Sequence, residues 1–387
     1  MEKIGKFYDV ISGYAFKSKD LKDVDDVPVV KIGNISNGRN IVRENLQYVS
    51  NDLLKINKKY HIEKRDVLVS LTGSHMNQPN SMVGRSCRSY DEQVYLLNQR
   101  AGKVIQKGDF SLDYIYYVLQ TKAMKEMIVC RAYGAANQVN VSPSSIMGIK
   151  WNFPSVSATN SIASILSAYD SLIENNTKRI RLLEKMAENL YKEWFVRFRF
   201  PGHENVEMEN GLPKGWRGGS LSEVCEFKRG KNITSSEMQD GAIPVISAGI
   251  SPSGFHTEAN VHGISVTMSS SGANAGFIAI HYSDIWAADC SYIGEASTPY
   301  IYYVYELLNN IRSVITNFQR GAAQPHVYPK DINHIKLIIP SENLRKEAND
   351  RLSILHKEIA NYQQQNTLLA RQRDLLLPRL MSGKLEV

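Results

Sequence analysis

The stretch YIYYV, residues 114–118, occurs a second time at residues 300–304 of this 387-residue sequence. The two copies are 186 residues apart. The same offset relates Pro-Ser at 154–155 to Pro-Ser at 340–341, and Leu-Leu at 182–183 to Leu-Leu at 368–369. Similarity at a fixed offset is the signature of a repeated structural unit. The sequence therefore predicts two copies of one unit, which together occupy nearly the whole chain.

Each copy begins with a part that is typical of β-structure. It contains short runs rich in Val, Ile and Thr with glycine between them, the composition expected of strands. These runs lie at 28–36 and 66–73 in the first copy, and at 243–251 and 264–272 in the second. A helix is predicted after each β-rich part, at about 112–130 and 298–318.

One loop is then written twice. It reads RAYGAANQVNVSP at 131–143 and RGAAQPHVYP at 320–329. In both versions a basic residue precedes a glycine-alanine turn, amide side chains follow, and a proline ends the loop. The doubled loop is expected to occupy corresponding places in the two copies.

A long helix is predicted at the end of each copy, from about Ser157 to Arg197 and from about Ser341 to Leu377. Pro378 is expected to stop the second helix, because proline has no N–H to donate. The first helix carries an apolar seam at alternating spacings of four and three, as coiled coils do. One asparagine lies inside each seam, Asn176 in the first and Asn366 in the second, where Arg373 also interrupts it.

These seams match in a single antiparallel register. If Asn176 faces Asn366, the facing residues have an index sum of 542, and apolar partners such as Leu190 and Leu352 fall opposite each other. A buried asparagine pair is one way to fix a coiled-coil register. We therefore expect an α+β fold of two pseudo-symmetric mixed-β domains separated by an antiparallel two-helix coiled coil, with Asn176 and Asn366 in contact. In the alternative, both asparagines are solvated at a loose seam.

The expected domain organisation follows from these elements. Residues 1–155 form the first domain, 156–200 the central spacer helix, 201–341 a linker and the second domain, and 342–387 the C-terminal spacer helix and tail. The linker is placed at 200–216, where Gly, Pro and acidic residues occur without periodicity.

The net charge of the chain indicates which class of partner it suits. The net charge of +7 and a pI near 9.0 favour an acidic partner such as nucleic acid. The charge is uneven: residues 1–155 hold 22 Lys and Arg against 15 Asp and Glu, whereas residues 201–341 hold 9 against 13. By charge alone, the first domain suits DNA better than the second.

The remaining composition is that of a cytoplasmic protein without a membrane partner. No run approaches the ~20 apolar residues that cross a bilayer. The four cysteines contain no CxxC pair, which argues against a zinc ribbon or a disulfide framework and fits a reducing compartment.

No enzyme motif is visible in the sequence. It has no phosphate-binding GxxxxGK[ST] loop, no glycine-rich cofactor fingerprint after a strand and no Asn-Pro-Pro-aromatic run. The ExK at Glu226–Lys228 lacks the upstream aspartate that a metal nuclease would need. His256, His262 and His281 match no usual metal-ligand spacing. We predict no catalytic residue and no metal site.

The chain resembles the specificity subunits of type I restriction–modification systems over its whole length. The resemblance is carried by the two-copy layout, the doubled loop, and three phrases: DSLIENNTKRIRLLEKMAENLYKEWFVRFRFPG at 170–202, LPKGW at 212–216 and LLLPRLMSGKLEV at 375–387. It implies two target-recognition domains, each reading one half of a bipartite sequence in double-stranded DNA. It also implies that the long helices set the spacing and dock the modification (methyltransferase) subunits of a complex that includes restriction subunits.

The same resemblance implies a subunit that is not an enzyme and holds no cofactor itself. S-adenosylmethionine, ATP and Mg²⁺ would belong to the partner subunits.

Base reading requires side chains that offer paired donors and acceptors in the major groove. In the first domain the candidates are Ser74, His75, Asn77, Gln78, Asn98, Arg100, Arg131, Asn137 and Gln138. In the second they are Lys228, Arg229, Lys231, Asn232, Ser270, Asn274, Arg320, Gln324 and His326. Lys17, Lys19 and Lys31 are expected to contact phosphate rather than bases. For each one the alternative is an ordinary solvated loop residue.

A second function class stays open at this point. A coiled-coil scaffold that joins two protein partners without binding DNA explains the repeat and the heptads equally well. It explains the basic first domain and the amide-rich loops less well.

Overall fold

The structure, a computed structural model, describes residues 1–36, 38, 40–74, 81–134, 138–321 and 325–387. The chain divides into two compact units. Unit 1 comprises Met1–Asn175 and Asn366–Val387, and unit 2 comprises Asn176–Gln365. Each unit combines sheets with helices, which confirms the predicted α+β class.

Unit 1 is built on two four-stranded sheets. Its strands are β1 (Glu2–Lys3), β2 (Tyr8–Ser12), β3 (Val27–Val30), β4 (Gln47–Val49), β5 (His61–Ile62), β6 (Val67–Ser70), β7 (Thr72–Gly73), β8 (Ser86–Arg88), β9 (Tyr95–Leu97), β10 (Ala101–Gln106), β11 (Val139–Asn140) and β12 (Lys150–Trp151). One sheet has the antiparallel order β2-β10-β6-β8, and the other has the order β4-β3-β9-β5, in which β3 and β9 are parallel. Short ladders join β1 to β12 and β7 to β11.

The short helices α1 (Leu112–Gln120) and α2 (Lys122–Val129) follow β10, and α3 (Pro143–Met147) lies between β11 and β12. The single predicted helix at 112–130 is therefore two helices. They separate at Thr121, which has an extended backbone and accepts a hydrogen bond from the Met124 N–H to cap α2. The tyrosines of the YIYYV stretch lie in α1 and are buried in the core beneath it.

The long helix α4 (Val156–Tyr191) continues as a π-helical turn at Lys192–Val196. The strands of unit 2 follow: β13 (Met208–Glu209), β14 (Leu212–Pro213), β15 (Arg217–Ser220), β16 (Lys228–Arg229), β17 (Ile243–Ile246), β18 (Gly254–His256), β19 (Ser265–Ser269), β20 (Ile278–His281), β21 (Trp286–Ala287), β22 (Cys290–Gly294) and β23 (Lys336–Ile339). Its short helices are α5 (Ile301–Asn310), α6 (Arg312–Thr316) and α7 (Pro329–Ile332), and the chain ends in α8 (Glu342–Met381).

The sheets of unit 2 repeat the strand order of unit 1. The order β16-β22-β19-β20 corresponds to β2-β10-β6-β8, and β18-β17-β21 corresponds to β4-β3-β9, again with one parallel pair. The ladder β15-β23 corresponds to β1-β12. Two units with one topology confirm the predicted repeat.

The constant offset of 186 does not extend through the whole repeat. The glycines that follow β2 and β16, Gly13 and Gly230, make equivalent backbone bonds to Ala101 and Cys290 but are 217 residues apart. Unit 1 is longer in this region because it carries the extra strand β5 and two 3-10 turns before it, at Asn51–Lys55 and Lys58–Tyr60. The repeat is uniform only from the helices onward.

Pro378 does not stop the last helix. Helix α8 continues through Pro378 to Met381, because Leu380 is buried in the core of unit 1 and Met381 packs against it. Packing in the last turn thus outweighs the hydrogen bond that proline cannot make. No helix within the described ranges is long and apolar enough to cross a membrane.

Within unit 2, the segments of α4 and α8 are antiparallel in nearly the predicted register. The Asn176 side-chain amide donates to Gln365 Oε1 at 3.3 Å, and Arg179 donates to the Tyr362 hydroxyl at 3.1 Å. Both pairs have an index sum of 541, one less than predicted. Asn366 belongs to unit 1, so its predicted contact with Asn176 stays a prediction.

Within unit 1, Arg373 has a partner on the other helix. Its guanidinium donates to Asp170 Oδ1 at 2.5 Å, and the side chain of Asp170 is only 6% exposed. The hydroxyl of Tyr117 on α1 donates to the second oxygen of Asp170 at 2.6 Å. The residue that interrupts the apolar seam is therefore one half of a buried ion pair that joins α4, α8 and α1.

The predicted linker at 200–216 is part of the core of unit 2. Phe200 and Trp216 are buried and stacked, with ring centroids 5.7 Å apart, and both rings belong to the cluster that contains Phe195. The short hairpin β13–β14 lies between them. The buried rings of Phe200 and Trp216 explain why this segment packs.

Candidate nucleic-acid interface

Loops of unit 1 that are distant in the sequence are tied together at one end of the β2-β10-β6-β8 sheet. We call residues 13–20, 71–74, 98–100, 131–134 and 138–141 loop cluster 1. Backbone hydrogen bonds join them: Tyr14 N–H to Leu97 O at 2.7 Å, Leu71 N–H to Arg100 O at 3.0 Å, and Val141 N–H to Leu71 O at 2.9 Å. Residues far apart in the sequence are thus brought to one surface.

Unit 2 contains the corresponding arrangement. We call residues 230–232, 270–276, 288–289, 318–321 and 325–328 loop cluster 2. Lys231 N–H donates to Ala287 O at 2.9 Å, and Val327 N–H donates to Ser270 O at 3.0 Å, which are the counterparts of the first and third bonds above. The two clusters therefore share one backbone frame.

A glycine is required at the same point of each cluster. A Cβ added at Gly13 would lie within 3 Å of the carbonyl oxygens of Leu97 and Asn98. One added at Gly230 would lie equally close to the oxygens of Ala287 and Ala288. Each glycine permits the first loop to approach the loop that precedes the central strand, a close approach that only glycine allows.

We expect Gly13→Ala and Gly230→Ala each to lower the free energy of unfolding by about 1–3 kcal/mol, because an added methyl in a packed site forces the backbone apart. Gly33→Ala and Gly218→Ala are matched controls, since their Cβ atoms would meet nothing within 4 Å. Urea denaturation followed by circular dichroism measures the difference. Equal effects in all four variants would contradict the requirement for glycine.

The doubled loop occupies the same place in each cluster, and its ladder partners define corresponding positions. Asn140 pairs with Thr72 and with Tyr133 in unit 1, as His326 pairs with Ser271 and with Arg320 in unit 2. The Thr72 hydroxyl donates to Asn140 Oδ1 at 2.8 Å. Position 140 therefore corresponds to 326, and position 133 corresponds to 320.

This correspondence adds residues that the sequence reasoning missed. Asn140 could have been found, because it lies 186 residues before the candidate His326. Tyr133, whose side chain is 60% exposed, takes the place of Arg320. In this ladder Arg320 aligns with Tyr133 rather than with Arg131, which lies two residues earlier.

Most of the basic candidates of unit 1 lie on the surface of loop cluster 1. Lys17, Lys19, Arg100 and Arg131 are exposed, and Arg131 also donates to Met127 O at 2.9 Å. Lys31 differs, because it is half-buried and its ammonium donates to the Gln47 side chain. Burial also lowers the pKa of the Lys31 ammonium, so its predicted contact with phosphate is not supported by its position.

The polar candidates of unit 1 are only partly described. Ser74 and Asn98 are half-buried; the Ser74 carbonyl accepts from the Ser81 hydroxyl at 2.6 Å, and Asn98 Oδ1 accepts from the Arg100 N–H at 3.4 Å. Gln138 is exposed. His75, Asn77, Gln78 and Asn137 in this unit, and Gln324 in unit 2, lie outside the described residues.

The first basic group of unit 2 lies on and after strand β16. Lys228, Arg229, Lys231 and Asn232 are all exposed. Arg229 donates to Asp289 Oδ1 at 2.5 Å, and the Lys231 ammonium lies 5.8 Å from the ring centroid of Trp286. This edge of a net-acidic domain is therefore locally basic.

The remaining candidates of unit 2 fall into two groups. Asn274 and Arg320 are exposed, and His326 is half-buried with its ring stacked on Tyr328 at a centroid distance of 6.1 Å. Ser270 is 1% exposed and its hydroxyl faces that of Ser291 at 3.4 Å. Because its side chain points into the sheet, Ser270 does not belong to the surface of loop cluster 2, and the adjacent Ser271 occupies the ladder position instead.

Within the part of the chain that the structure describes, no group of three or more His, Cys, Asp and Glu side chains is placed to hold a metal ion. Cys87, Cys225 and Cys290 are buried, and burial raises the pKa of each thiol to about 12. These cysteines behave as core residues.

A family model for the type I restriction modification DNA specificity domain matches residues 1–185 and again residues 213–370. The chain belongs to this family. The two matches cover the two copies of the repeat, which confirms the resemblance seen in the sequence.

Individual relatives agree with this assignment. The chain is 27% identical over 321 residues to the type I restriction enzyme MjaIX specificity subunit of Methanocaldococcus jannaschii, covering 75% of this chain and 73% of the relative. Its fold is similar to the crystal structure of a type I restriction–modification S subunit from M. genitalium, with a TM-score of 0.58, 19% identity, and 98% and 95% of the two chains covered. At that identity, the likeness concerns the fold alone.

Proposed function

We propose that this specificity subunit reads a bipartite sequence in double-stranded DNA, with each unit binding one half through its loop cluster. The observation that carries the proposal is the pair of clusters itself. One backbone frame is built twice, yet corresponding positions hold different side chains: Asn140 against His326, and Tyr133 against Arg320. A fixed frame with variable side chains is what two recognition sites for different sequences require.

The surface chemistry of the clusters supports DNA as the ligand. Loop cluster 1 presents Lys17, Lys19, Arg100 and Arg131 on a domain with excess positive charge. Loop cluster 2 presents arginine, lysine and amide groups on a domain with excess negative charge. Cations contribute the salt-dependent affinity for phosphates, whereas arginine and amide groups read base edges. The first unit is thus suited to affinity and the second to selectivity.

The chemistry of the system would then reside in partner subunits. We assign methyl transfer to modification subunits that bind S-adenosylmethionine, and cleavage to restriction subunits that use ATP and Mg²⁺, in the cytoplasm. Docking by the long helices is supported by their exposed apolar side chains. These include Leu172, Leu182, Met186, Ile354, Leu368 and Leu375, each at least half exposed. Exposed apolar side chains mark protein–protein contacts where they form a contiguous patch.

The test joins two measurements. Mapping methylated positions in the host genome should give one bipartite motif, and the same motif should be preferred by the full chain with its modification subunits in a gel-shift assay. Binding should weaken as salt rises, because phosphate contacts release counterions. A chain that assembles with its partners but shows no preference for any duplex would favour the scaffold function instead.

A further inference from the structure

Two arginines of unit 2 are each held by an aspartate. Arg229 Nη2 donates to Asp289 Oδ1 at 2.5 Å, and Arg320 Nη2 donates to Asp331 Oδ1 at 2.9 Å. The arginines remain accessible, with side chains 46% and 62% exposed, while the side chain of Asp331 is only 15% exposed. Each guanidinium is therefore anchored at one nitrogen and still faces the surface.

The two pairs belong to one connected arrangement. The second oxygen of Asp289 accepts a hydrogen bond from the Ser271 hydroxyl at 2.7 Å. Ser271 forms a β-bridge with His326, and His326 forms a β-bridge with Arg320. The chain of contacts from Arg229 to Arg320 thus runs through the backbone of loop cluster 2, which fixes the place of both guanidinium groups.

Unit 1 carries different residues at the same positions. The ladders align Arg229 with Ser12, since Arg229 pairs with Ser291 on the central strand as Ser12 pairs with Gly102. They align Arg320 with Tyr133, and Asp289, which precedes Cys290, with Arg100, which precedes Ala101. The arginine–aspartate pairs are therefore a property of one recognition domain, not of the shared frame.

Their geometry suits a base better than a phosphate. A guanidinium presents several N–H groups in a fixed plane, and guanine offers O6 and N7 as two acceptors in the major groove. An aspartate that holds one end of the guanidinium fixes that plane before DNA binds and reduces the entropy lost on binding. A phosphate contact needs positive charge but no fixed plane, and a neighbouring carboxylate weakens it.

We propose that Arg229 and Arg320 read guanines in the half-site bound by unit 2, and that Asp289 and Asp331 are positioning residues for them. The inference rests on the proposed function, because it requires that loop cluster 2 faces DNA. The inference extends the proposed function by assigning one base, guanine, to each arginine. It also predicts that the two half-sites differ in guanine content at these positions.

Arg320→Lys is the most direct test, in the full chain assembled with its modification subunits. Lysine keeps the positive charge beside Asp331, whose second carboxylate oxygen is buried and has no hydrogen-bond partner among the described residues. It removes the planar fork. At one G·C pair of the second half-site, we expect the preference for guanine over the other bases to fall by about 10- to 100-fold. Binding to unrelated duplex, and base preferences in the first half-site, should stay unchanged.

Arg229→Lys should relax a different G·C pair of the same half-site by a similar factor. Asp331→Asn and Asp289→Asn should each relax the position read by the neighbouring arginine, although neither aspartate contacts DNA. A change in base preference that is caused by a residue without a DNA contact indicates a positioning role. A purely structural role would change the stability of the protein and leave its base preference intact. Should Arg320→Lys fail to fold, the Arg229→Lys and Asp289→Asn variants give the same readout at a pair whose aspartate is more exposed, 36% against 15%.

Three outcomes overturn the proposal. A uniform loss of affinity for all duplexes would make the arginines phosphate contacts. Unchanged base preferences would leave the pairs structural. A relaxed position that is not a G·C pair would refute the assigned base. If the unaltered complex itself prefers no sequence, the proposed function fails, which the wild-type measurement reveals before any variant is compared.

Discussion

Replacement of Lys17, Lys19 and Arg100 together by glutamine is expected to weaken binding of duplex DNA by about 100-fold at a salt concentration of ~0.15 M. All three side chains are exposed on loop cluster 1. The Arg100 carbonyl accepts the Leu71 N–H, and the Gln99 N–H donates to Tyr14 O, so the loops that carry these cations are fixed beside each other. Each phosphate contact contributes about 0.9 to the slope of log affinity against log salt, so the slope should fall by about 2 to 3.

A second triple variant provides the control for this experiment. Lys6, Lys55 and Lys122 are exposed in the same unit but lie outside loop cluster 1, and each pairs with a nearby acid. Their replacement by glutamine changes the net charge by the same amount. Gel-shift titrations over a salt series should show a large effect for the first triple and a small one for the second. Equal effects would mean that the affinity for DNA depends only on the total charge of the unit.

The uneven charge that motivates this experiment was visible in the sequence, as were the repeat, the α+β class and the antiparallel register of the long helices. Each of these depends on patterns that are local or strictly periodic. The apolar seam gave a register within one residue of the observed pairs, because knobs-into-holes packing leaves few alternatives.

The aspartate partners could not be found in this way. Asp289 is 60 residues from Arg229, and the strands between them set the distance between the two side chains. The same holds for Gly13 and Gly230, whose need for glycine depends on carbonyl groups of a distant loop. The unequal lengths of the β-rich parts hid the correspondence between Gly13 and Gly230, because the offset of 186 does not relate these two residues. Contacts of this kind are properties of the folded sheet rather than of any sequence window.

Arg373→Met is expected to lower the free energy of unfolding by about 3–5 kcal/mol, the cost of leaving one member of a buried ion pair without its partner. The carboxylate of Asp170 is nearly inaccessible, and in the native chain it accepts from Arg373 on α8 and from Tyr117 on α1. Burial opposes the charge on Arg373, but Asp170 and Asp374 outweigh burial and raise the pKa of its guanidinium. Burial, with Asp170 beside it, likewise raises the pKa of Tyr117, so its hydroxyl stays protonated and remains a donor.

The effect should be specific to the pair. Arg371→Met is the matched control, because Arg371 is exposed two residues earlier on α8 and its loss should change the free energy of unfolding by about 0.5 kcal/mol or less. Adding Asp170→Asn to Arg373→Met removes the stranded charge and should restore a large part of the loss. Urea denaturation of the four chains gives these differences directly. If Arg373→Met proves as mild as the control, Arg373 is only an interruption of the seam, as the sequence alone suggested. If the loss and its recovery are observed, the arginine is the polar link through which α8 and α4 hold helix α1 of unit 1.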